Sequence, residues 1–354
     1  MLTRTLARLS WVDLILRVFQ IFAAVVILIG LINVFRTGAY TNNQWATLVF
    51  AGLAQGSIYA LIALGYTLVY GILLMINFAH GEVYMAGAFS TVFLAGYFFN
   101  IGFLQSNPLL AIIIMIIFAA AVSTIIALLL ERIAYRPLRG APRLIPLITA
   151  IGASFTLQYT FRGLYGAEFK SYPEVPSLTG TVNVIGFDVP LVQLVVFFAA
   201  VGLMLALYLY VERTKNGKAM RAVSEDKDVA RLMGIDIDRI IVTTFALGGG
   251  LAGAAGVFNG LFRPQGVFFF MGFFPGIKAF TAAVLGGIGN IPGAMLGGLM
   301  LGLIESLGPN SIVEGLGIPS ANQLKDAIAF SVLVLILIYR PQGIFGERLA
   351  EKKA

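Results

Sequence analysis

The chain of 354 residues contains no cysteine and only one histidine, His80. The absence of cysteine excludes a disulfide framework, a thiolate metal site and a cysteine nucleophile. A single histidine excludes a metal cluster built from several histidines. No G-x-x-x-x-G-K-[ST] segment occurs, so the sequence carries no recognisable nucleotide-binding loop. The hydrophobic runs hold no paired carboxylates or activated nucleophile, so the sequence does not indicate an enzyme.

Charge is also scarce, because 12% of the residues are charged and 59% are hydrophobic. A soluble domain usually carries about 25% charged residues. Between Thr37 and Leu130 the only charged residue is Glu82. A charge that faces lipid costs roughly 2.5–3.5 kcal/mol on insertion scales, which accounts for such an empty tract. The composition therefore indicates a polytopic membrane protein.

Apolar runs of about 20 residues, the length that crosses a bilayer, recur along the chain. We predict one all-α transmembrane domain, 1–354, with eight to ten spans that include broken or re-entrant segments. The ten candidates are 14–35, 44–70, 81–99, 109–130, 144–163, 190–211, 240–262, 271–288, 291–307 and 322–340. The first is expected to be a retained helix rather than a signal peptide.

Two stretches are ambiguous in length. The stretch 44–79 is too long for one simple crossing, and its four glycines predict a broken or kinked helix. The stretch 271–307 contains the turn GGIGNIPG at 286–293. This turn joins either two short spans or the two halves of a re-entrant hairpin.

Most of the 24 basic residues lie in the four segments 1–17, 131–143, 212–239 and 340–354. Since basic loops stay in the cytoplasm, we expect an inner-membrane protein with both termini cytoplasmic. Ten or eight spans satisfy this arrangement, and nine do not. The net charge of +7 is then an orientation signal rather than a nucleic-acid patch. The largest external loop is 164–189, which suits docking of another protein.

Polar residues concentrate in MINFAHGEVY at 75–84. Asn77, His80 and Glu82 could line a translocation path or hold a broken helix in shape, with a turn at Gly81. Alternatively the segment is a solvated turn in which Glu82 caps the next helix. A proton relay from His80 to Glu82 is a further reading.

The basic segment 212–239 contains a predicted amphipathic helix at 218–233, which ends at Gly234. Its small face holds Ala219, Ala222, Val223, Ala230 and Met233. Such a helix can lie in a groove of a partner or at the lipid interface, and composition leaves both open. The motif GGGLAG at 248–253 matches G-x-G-x-x-G but lies in an apolar span, so it indicates helix packing and not dinucleotide binding.

Three segments carry a family resemblance. They are GLAQGSIYALIALGYTLVYG at 52–71 with MINFAHGE at 75–82, the loop pattern MRA at 220–222 with LMGI at 232–235, and KAFTAAVLGGIGNIPGA at 278–294. Together they strongly resemble the permease subunits of ABC importers for branched-chain amino acids, in particular the first of the two homologous permeases. The resemblance covers about residues 44–346.

The resemblance implies a heterodimer with a second permease, two cytoplasmic ATPases, an external substrate-binding protein, and surrounding membrane lipid. ATP would bind the partner subunits, and this chain would bind no cofactor or metal. The residues that couple the chain to the ATPase would be Arg221, Ala222, Glu225, Asp226, Ala230 and Gly234. The translocation path is predicted to include Gln55, Thr67, Asn77, His80, Glu82 and Thr281.

Two other functions stay open at this point. The first is an ABC permease for urea, short amides or other amino acids, because permease sequences discriminate substrates poorly. The second is a proton-coupled secondary carrier, whose uptake would persist without ATP and collapse with an uncoupler.

Overall fold

The structure is a computed structural model that describes residues 11–142, 144–263, 266–318, 321–340 and 342–346. Its α-helices are α1 Trp11–Thr37, α2 Asn42–Leu73, α3 His80–Asn100, α4 Phe103–Ser106, α5 Pro108–Leu130, α6 Leu144–Tyr165, α7 Leu191–Arg213, α8 Lys215–Glu225, α9 Lys227–Leu232, α10 Ile237–Phe262, α11 Phe273–Gly286, α12 Ile291–Gly308 and α13 Lys325–Tyr339. Short π- or 3₁₀-helical turns are Glu131–Tyr135, Arg136–Leu138, Pro176–Leu178, Pro309–Val313, Glu314–Leu316 and Ala321–Leu324.

The described part of the chain confirms the predicted all-α polytopic architecture. Nine of its helical stretches are long and apolar enough to cross a membrane, and Phe273–Gly286 is a shorter apolar helix. The exception to the all-α prediction is a small antiparallel hairpin in the loop 164–189. Its strands are β1 Thr181–Val184 and β2 Phe187–Pro190, paired from Thr181 with Pro190 to Val184 with Phe187.

The helix bundle has two distinct ends. The basic end comprises 74–79, 131–142, 214–236 and 340–346, and the loop end comprises 38–41, 101–107 and 166–190. Contacts hold each end together. At the basic end the Tyr135 hydroxyl donates to Asn77 Oδ1 at 2.6 Å. At the loop end Lys170 and Val267 exchange two backbone hydrogen bonds.

Helix α2 lies at the centre of the bundle and contacts α7, α10, α11 and α12. It begins with a capping box between Thr41 and Gln44 and runs without interruption for 32 residues. The predicted break within 44–79 is therefore wrong for the helix itself. The chain instead reverses after it, where Leu74 adopts the left-handed conformation at φ 55°. The helical hydrogen bonds of α2 continue through its glycines. Close neighbours fill the space beside these glycines.

Glycines bring α2 and α12 into backbone contact. A Cβ placed on Gly298 would lie 2.5 Å from Cα of Ala60, and one on Gly302 would overlap the backbone of Gly56. Lipid offers little hydrophobic drive for association, so membrane helices rely on such close packing. This contact fixes α12 against the central helix.

Two helices begin inside the bundle rather than at its surface. His80 starts α3 and packs against Gly65, which lies two turns before the end of α2. Helix α11 starts at the same depth, because its N-cap Gly272 lies against Gly81. With 14 residues, α11 is about 21 Å long, too short to cross the roughly 30 Å hydrocarbon core alone.

A non-helical segment, with turns over 269–272, completes the span that contains α11. Residues 266–272 lead from the loop end, at Val267, down to Gly272 inside the bundle. Helix α11 then continues to the basic end, where Ile344 N donates to Leu285 O at 2.8 Å. Residues 266–286 thus form a discontinuous crossing, and a turn joins it to the antiparallel α12. The described chain therefore passes between the two ends ten times. The stretch 271–307 belongs to two of these spans and is not a re-entrant hairpin.

An ionic cluster with two buried and two partly exposed members, Lys278 and Glu305 with Lys325 and Asp326, connects α11, α12 and α13. Lys278 Nζ lies 2.8 Å from Glu305 Oε1 and 2.6 Å from Asp326 Oδ1. The side chains of Lys278 and Glu305 are only 5% and 6% exposed. Two cations and two anions make the cluster neutral, which lowers the cost of placing it inside the bundle.

The glycine contact gives a first prediction. The substitution Gly302→Val should destabilise the chain by about 1–3 kcal/mol, because a branched side chain overpacks against the backbone of α2. Unfolding of the detergent-solubilised protein measures the change. Gly152→Val in α6 is the matched control, since no heavy atom lies within 4 Å of its added Cβ. Equal stability of the two variants would contradict the packing argument.

The ionic cluster gives a second prediction. Lys278→Met and Glu305→Gln should each destabilise by about 3–5 kcal/mol, because each leaves an uncompensated charge in the interior. The double variant keeps the cluster neutral and should recover much of that loss. The same unfolding assay decides. The control is the exposed pair Arg221–Glu212, in which Glu212→Gln should cost less than about 1 kcal/mol. If the losses of Lys278→Met and Glu305→Gln simply add in the double variant, the two residues are not coupled.

Candidate functional site

A cavity of about 540 Å³ opens in the half of the bundle nearest the loop end. We call it the loop-end cavity. It lies where the first half of α2, the C-terminal end of α10, the non-helical segment 266–272 and α12 converge. Its lining residues are Leu48, Ala51, Gln55, Tyr84, Phe169, Asn259, Phe262, Arg263, Gly266, Phe268, Phe270, Met271, Phe274, Pro275, Gly302, Glu305, Ser306, Asn310, Asn322 and Lys325.

Aromatic and aliphatic residues make up about half of the wall of this cavity, and eight of the twenty lining residues are polar or charged. The guanidinium of Arg263 donates from Nε and Nη2 to Gln55 Oε1, at 3.2 and 3.0 Å. Arg263 is the C-cap of α10. A wall that combines apolar side chains with placed polar groups is the usual character of a small-molecule site.

Two of the other residues that line the loop-end cavity carry a buried polar atom without a hydrogen-bond partner among the described residues. They are Tyr84 on α3, through its hydroxyl, and Glu305 on α12, through Oε2. The other oxygen of Glu305 belongs to the ionic cluster. The cavity is therefore bordered on one side by an ion-paired network and on another by Arg263.

The structure places one of the predicted path residues in this cavity. Gln55 is buried on α2 and holds Arg263, as described above. Thr67 and Thr281 are buried in the core on α2 and α11, at 1% and 2% exposure. Neither of these two threonines lines the loop-end cavity. Their role in a path stays a prediction.

The other predicted path residues meet where α3 and α11 begin. Asn77 accepts the hydrogen bond from Tyr135, and His80 packs edge-on against Tyr66 with ring centroids 5.0 Å apart. Glu82 Oε1 accepts from Gln158 Nε2 at 2.7 Å and from Ser154 Oγ at 3.2 Å. This geometry is that of a buried polar network that holds the ends of the two inner helices, and not of a solvated turn.

The segment 212–239 folds into two helices rather than the single predicted one. Helix α8 ends at Glu225, and Asp226 caps α9 by accepting from the backbone N–H groups of Asp228 and Val229 at 2.8 and 3.0 Å. The predicted continuous helix 218–233 is therefore wrong, because the capping aspartate interrupts it. Gly234, with φ +80°, does follow the last turn, as predicted.

The side chains of this segment divide into a packed set and an exposed set. Met220, Val223 and Ala230 are buried against the bundle. Arg221 pairs with Glu212 at 2.7 Å, Ala222 is half-buried, and Glu225 is exposed. Met233 was expected on the small buried face, but it is 77% exposed.

An apolar patch on this segment was not predicted. Val229, Leu232 and Met233 are exposed by 55%, 87% and 77%, at the tip of the basic end. We call these three residues the apolar tip. Beside it lies a second cavity of about 370 Å³, which is lined by Leu74, Arg139, Lys227, Asp238 and neighbouring residues. Burial and the charge of Arg139 hold the pKa of Lys227 below its usual value.

Sequence reasoning missed Arg263, Lys278, Glu305 and Tyr84. A usable signal existed for one of them. Lys278 is the only charged residue between Arg263 and Glu305, just as Glu82 is isolated in its own tract. The same argument from an intramembrane charge would have selected it. The pairing of Lys278 with Glu305 and the convergence on one cavity depend on how α11 and α12 pack.

Comparison with known proteins places the chain among transport permeases. Residues 48–337 match the model of the family described as branched-chain amino acid transport system / permease component. The high-affinity branched-chain amino acid transport system permease protein BraD of Pseudomonas aeruginosa is 44% identical over 310 residues, which cover 85% of this chain and 95% of that protein. The corresponding LivH protein of Salmonella typhimurium is 41% identical over 313 residues, with 86% and 96% covered.

More distant relatives extend the comparison. The probable branched-chain amino acid transport permease protein LivM of Methanocaldococcus jannaschii is 32% identical over 165 residues, 43% of this chain and 47% of that one. Among solved structures, a metal-chelate type ABC transporter in an inward-facing conformation matches with a TM-score of 0.41 at 18% identity, over 82% of this chain and 85% of that one. The family match, together with relatives of 44% and 41% identity that align over nearly their whole length, shows that the chain belongs to the branched-chain amino acid transport system permease family.

Proposed function

We propose that the chain is the permease subunit of an ATP-driven importer for branched-chain or other hydrophobic amino acids, and that it forms the translocation path with a second, homologous permease. The observation that carries this proposal is the identity of 44% with BraD across 95% of that protein. The LivM relative supports a homologous partner, because a second type of permease from the same kind of system aligns with part of this chain.

The charge distribution supports the orientation of the chain in the inner membrane. The basic end gathers 131–142, 214–236 and 340–346, and basic loops stay in the cytoplasm. Ten crossings then leave both termini cytoplasmic. The loop end, with the β-hairpin and the loop-end cavity, faces the side from which an external substrate-binding protein would deliver the amino acid.

The apolar tip supports docking of an ATPase. Three large apolar side chains are exposed at the cytoplasmic end of an otherwise charged segment, on α9 and just after it. Helices α8 and α9 pack on α7, α10 and α2, so a force applied there reaches the central helices. The ATP itself is bound by the two ATPase subunits, and this chain contributes no nucleotide site.

The mechanism that follows is alternating access. The loaded binding protein docks at the loop end, and ATP brings the two ATPases together under the apolar tips. The inner helix ends at α3 and α11 are natural points of rearrangement, since discontinuous helices lie at the moving sites of many transporters. The path then opens toward the basic end and releases the amino acid.

Reconstituted transport tests the function. The chain, its partner permease and the two ATPases are placed in liposomes, with labelled leucine and the binding protein outside and ATP inside. We expect ATP-dependent uptake that unlabelled valine inhibits and urea does not. Uptake without ATP that collapses with an uncoupler would indicate a secondary carrier, and uptake inhibited by urea or short amides would indicate the other substrate class.

The apolar tip gives a further prediction. The substitution Leu232→Ser should weaken association with the ATPase about tenfold or more, because an exposed leucine that becomes buried contributes roughly 1.5–3 kcal/mol. Co-purification of the ATPase and ATP hydrolysis stimulated by the binding protein are the measurements. Ile185→Ser is the matched control, because Ile185 is 93% exposed at the hairpin of the loop end. Unchanged co-purification of the Leu232 variant would exclude the tip as the docking surface.

A further inference from the structure

We propose that the loop-end cavity is a binding site for a small aliphatic carboxylate, and that Arg263 binds the carboxylate group. The proposal rests on the proposed function and deepens it, because it assigns the amino acid a position in the path of this chain. The argument uses the charges around the cavity, its unpartnered hydroxyl and the character of its wall.

The charges of the cavity leave one cation without a counter-ion. Lys278 and Lys325 face Glu305 and Asp326, so the ionic cluster is already neutral. Arg263 has no carboxylate within ion-pair distance among the described residues, and it donates to the neutral amide of Gln55. A half-buried guanidinium in an apolar surrounding favours an anion, and a planar carboxylate matches its N–H geometry.

Gln55 is a positioning residue in this arrangement. Its Oε1 accepts from Nε and Nη2 of Arg263 and thereby fixes the guanidinium of a residue that lines the cavity. A guanidinium carries five N–H groups, so donors remain for a ligand after the two bonds to Gln55. A neutral amide orients the arginine without cancelling its charge.

Tyr84 supplies a second donor for the same ligand. Its side chain is fully buried, the residue lines the cavity, and its hydroxyl has no hydrogen-bond partner among the described residues. An unsatisfied buried hydroxyl costs roughly 1–3 kcal/mol, which a ligand oxygen would recover. An arginine and a tyrosine that line one cavity together favour a carboxylate.

The rest of the wall determines the other end of the ligand. Phe169, Phe262, Phe268, Phe270 and Phe274, with Met271, surround the cavity. Such a wall favours an aliphatic tail, and the other cation that lines the cavity, Lys325, already faces Glu305 in the ionic cluster. The volume of about 540 Å³ lies within the range of roughly 300–1,000 Å³ that is usual for small-molecule sites. The chemistry is that of a monocarboxylate with a branched or straight apolar tail, as in a hydrophobic amino acid.

Direct binding to the assembled complex tests the site. The permeases and ATPases are placed in lipid nanodiscs without binding protein, and labelled leucine is added at up to millimolar concentration. Unlabelled leucine and 4-methylpentanoate, which carry the carboxylate, should compete at least about tenfold better than leucinamide, which does not. Absence of leucine binding, or equal competition by leucinamide, would overturn the proposal.

Variants then assign the preference to the residues. Arg263→Met should weaken leucine binding about 10- to 100-fold and abolish the preference for carboxylate over amide, whereas Arg263→Lys should keep a reduced preference. Arg36→Met is the matched control, because Arg36 is an exposed arginine at the loop end of α1, outside the cavity. An Arg263→Met complex that assembles and keeps the full preference would refute the assignment.

A milder variant covers the case in which the Arg263 variants fail to assemble. Tyr84→Phe removes only the unpartnered hydroxyl and should weaken leucine about three- to tenfold while leaving leucinamide unchanged. Equal weakening of both ligands, or of neither, would contradict the proposal. The function and the site fail separately. A complex that imports no leucine but keeps the carboxylate preference would change the transported substrate and leave the site intact.

Discussion

A charge or an unpaired polar backbone group inside hydrocarbon costs several kcal/mol, and this constraint determines where the polar atoms of the chain lie. The backbone is helical almost wherever it crosses, and the non-helical segment 266–272 pairs with Lys170 at the loop end. Inside the bundle Lys278 and Glu305 are paired in the ionic cluster, and Glu82 accepts hydrogen bonds from the neutral side chains of Gln158 and Ser154. Arg263, which has no carboxylate partner among the described residues, lies on the loop-end cavity. A cation without a counter-ion thus lies where a ligand can enter.

Helix packing is the second consequence of the same environment. Lipid does not drive helices together as water does, so contact depends on backbones that approach closely. Gly298 and Gly302 bring α12 onto α2, and Gly81 and Gly272 bring the beginnings of α3 and α11 together inside the bundle. The two inner helix ends place Glu82 in a first helical turn, where the helix dipole favours an anion, and Gln158 and Ser154 of α6 donate to it. The closely packed helix pairs therefore make the centre of the bundle rigid. The helical structure there is interrupted at two points, the beginnings of α3 and α11.

The two ends of the bundle carry different proposed functional surfaces. The loop end carries the cavity and the hairpin, and the basic end carries α8, α9 and the apolar tip. The two ends are linked through α2 and α10, which contact both the cavity and the helices of the basic segment. A motion of α8 and α9 acts on the same helices that hold Gln55 and Arg263. This connection gives the proposed coupling a physical route from the apolar tip to the loop-end cavity.

Composition and periodicity by themselves determined the class of this protein. Apolar runs separated by basic loops require spans. The isolation of Glu82 singled out its segment and left a polar network or a solvated turn open, and the structure contains the network. The segments at 52–82, 220–235 and 278–294 pointed to the family that the comparisons show. The sequence did not determine the break of the basic segment at Asp226, because that break depends on the local geometry of a helix cap. It also did not determine the uninterrupted course of α2, which depends on close neighbours in the folded chain. Only the tertiary structure decided that Arg263, Gln55 and Tyr84 share a cavity, and that Lys278 is paired and Arg263 is not. These groups come from helices far apart in the chain, and their distances depend on packing that no single segment contains.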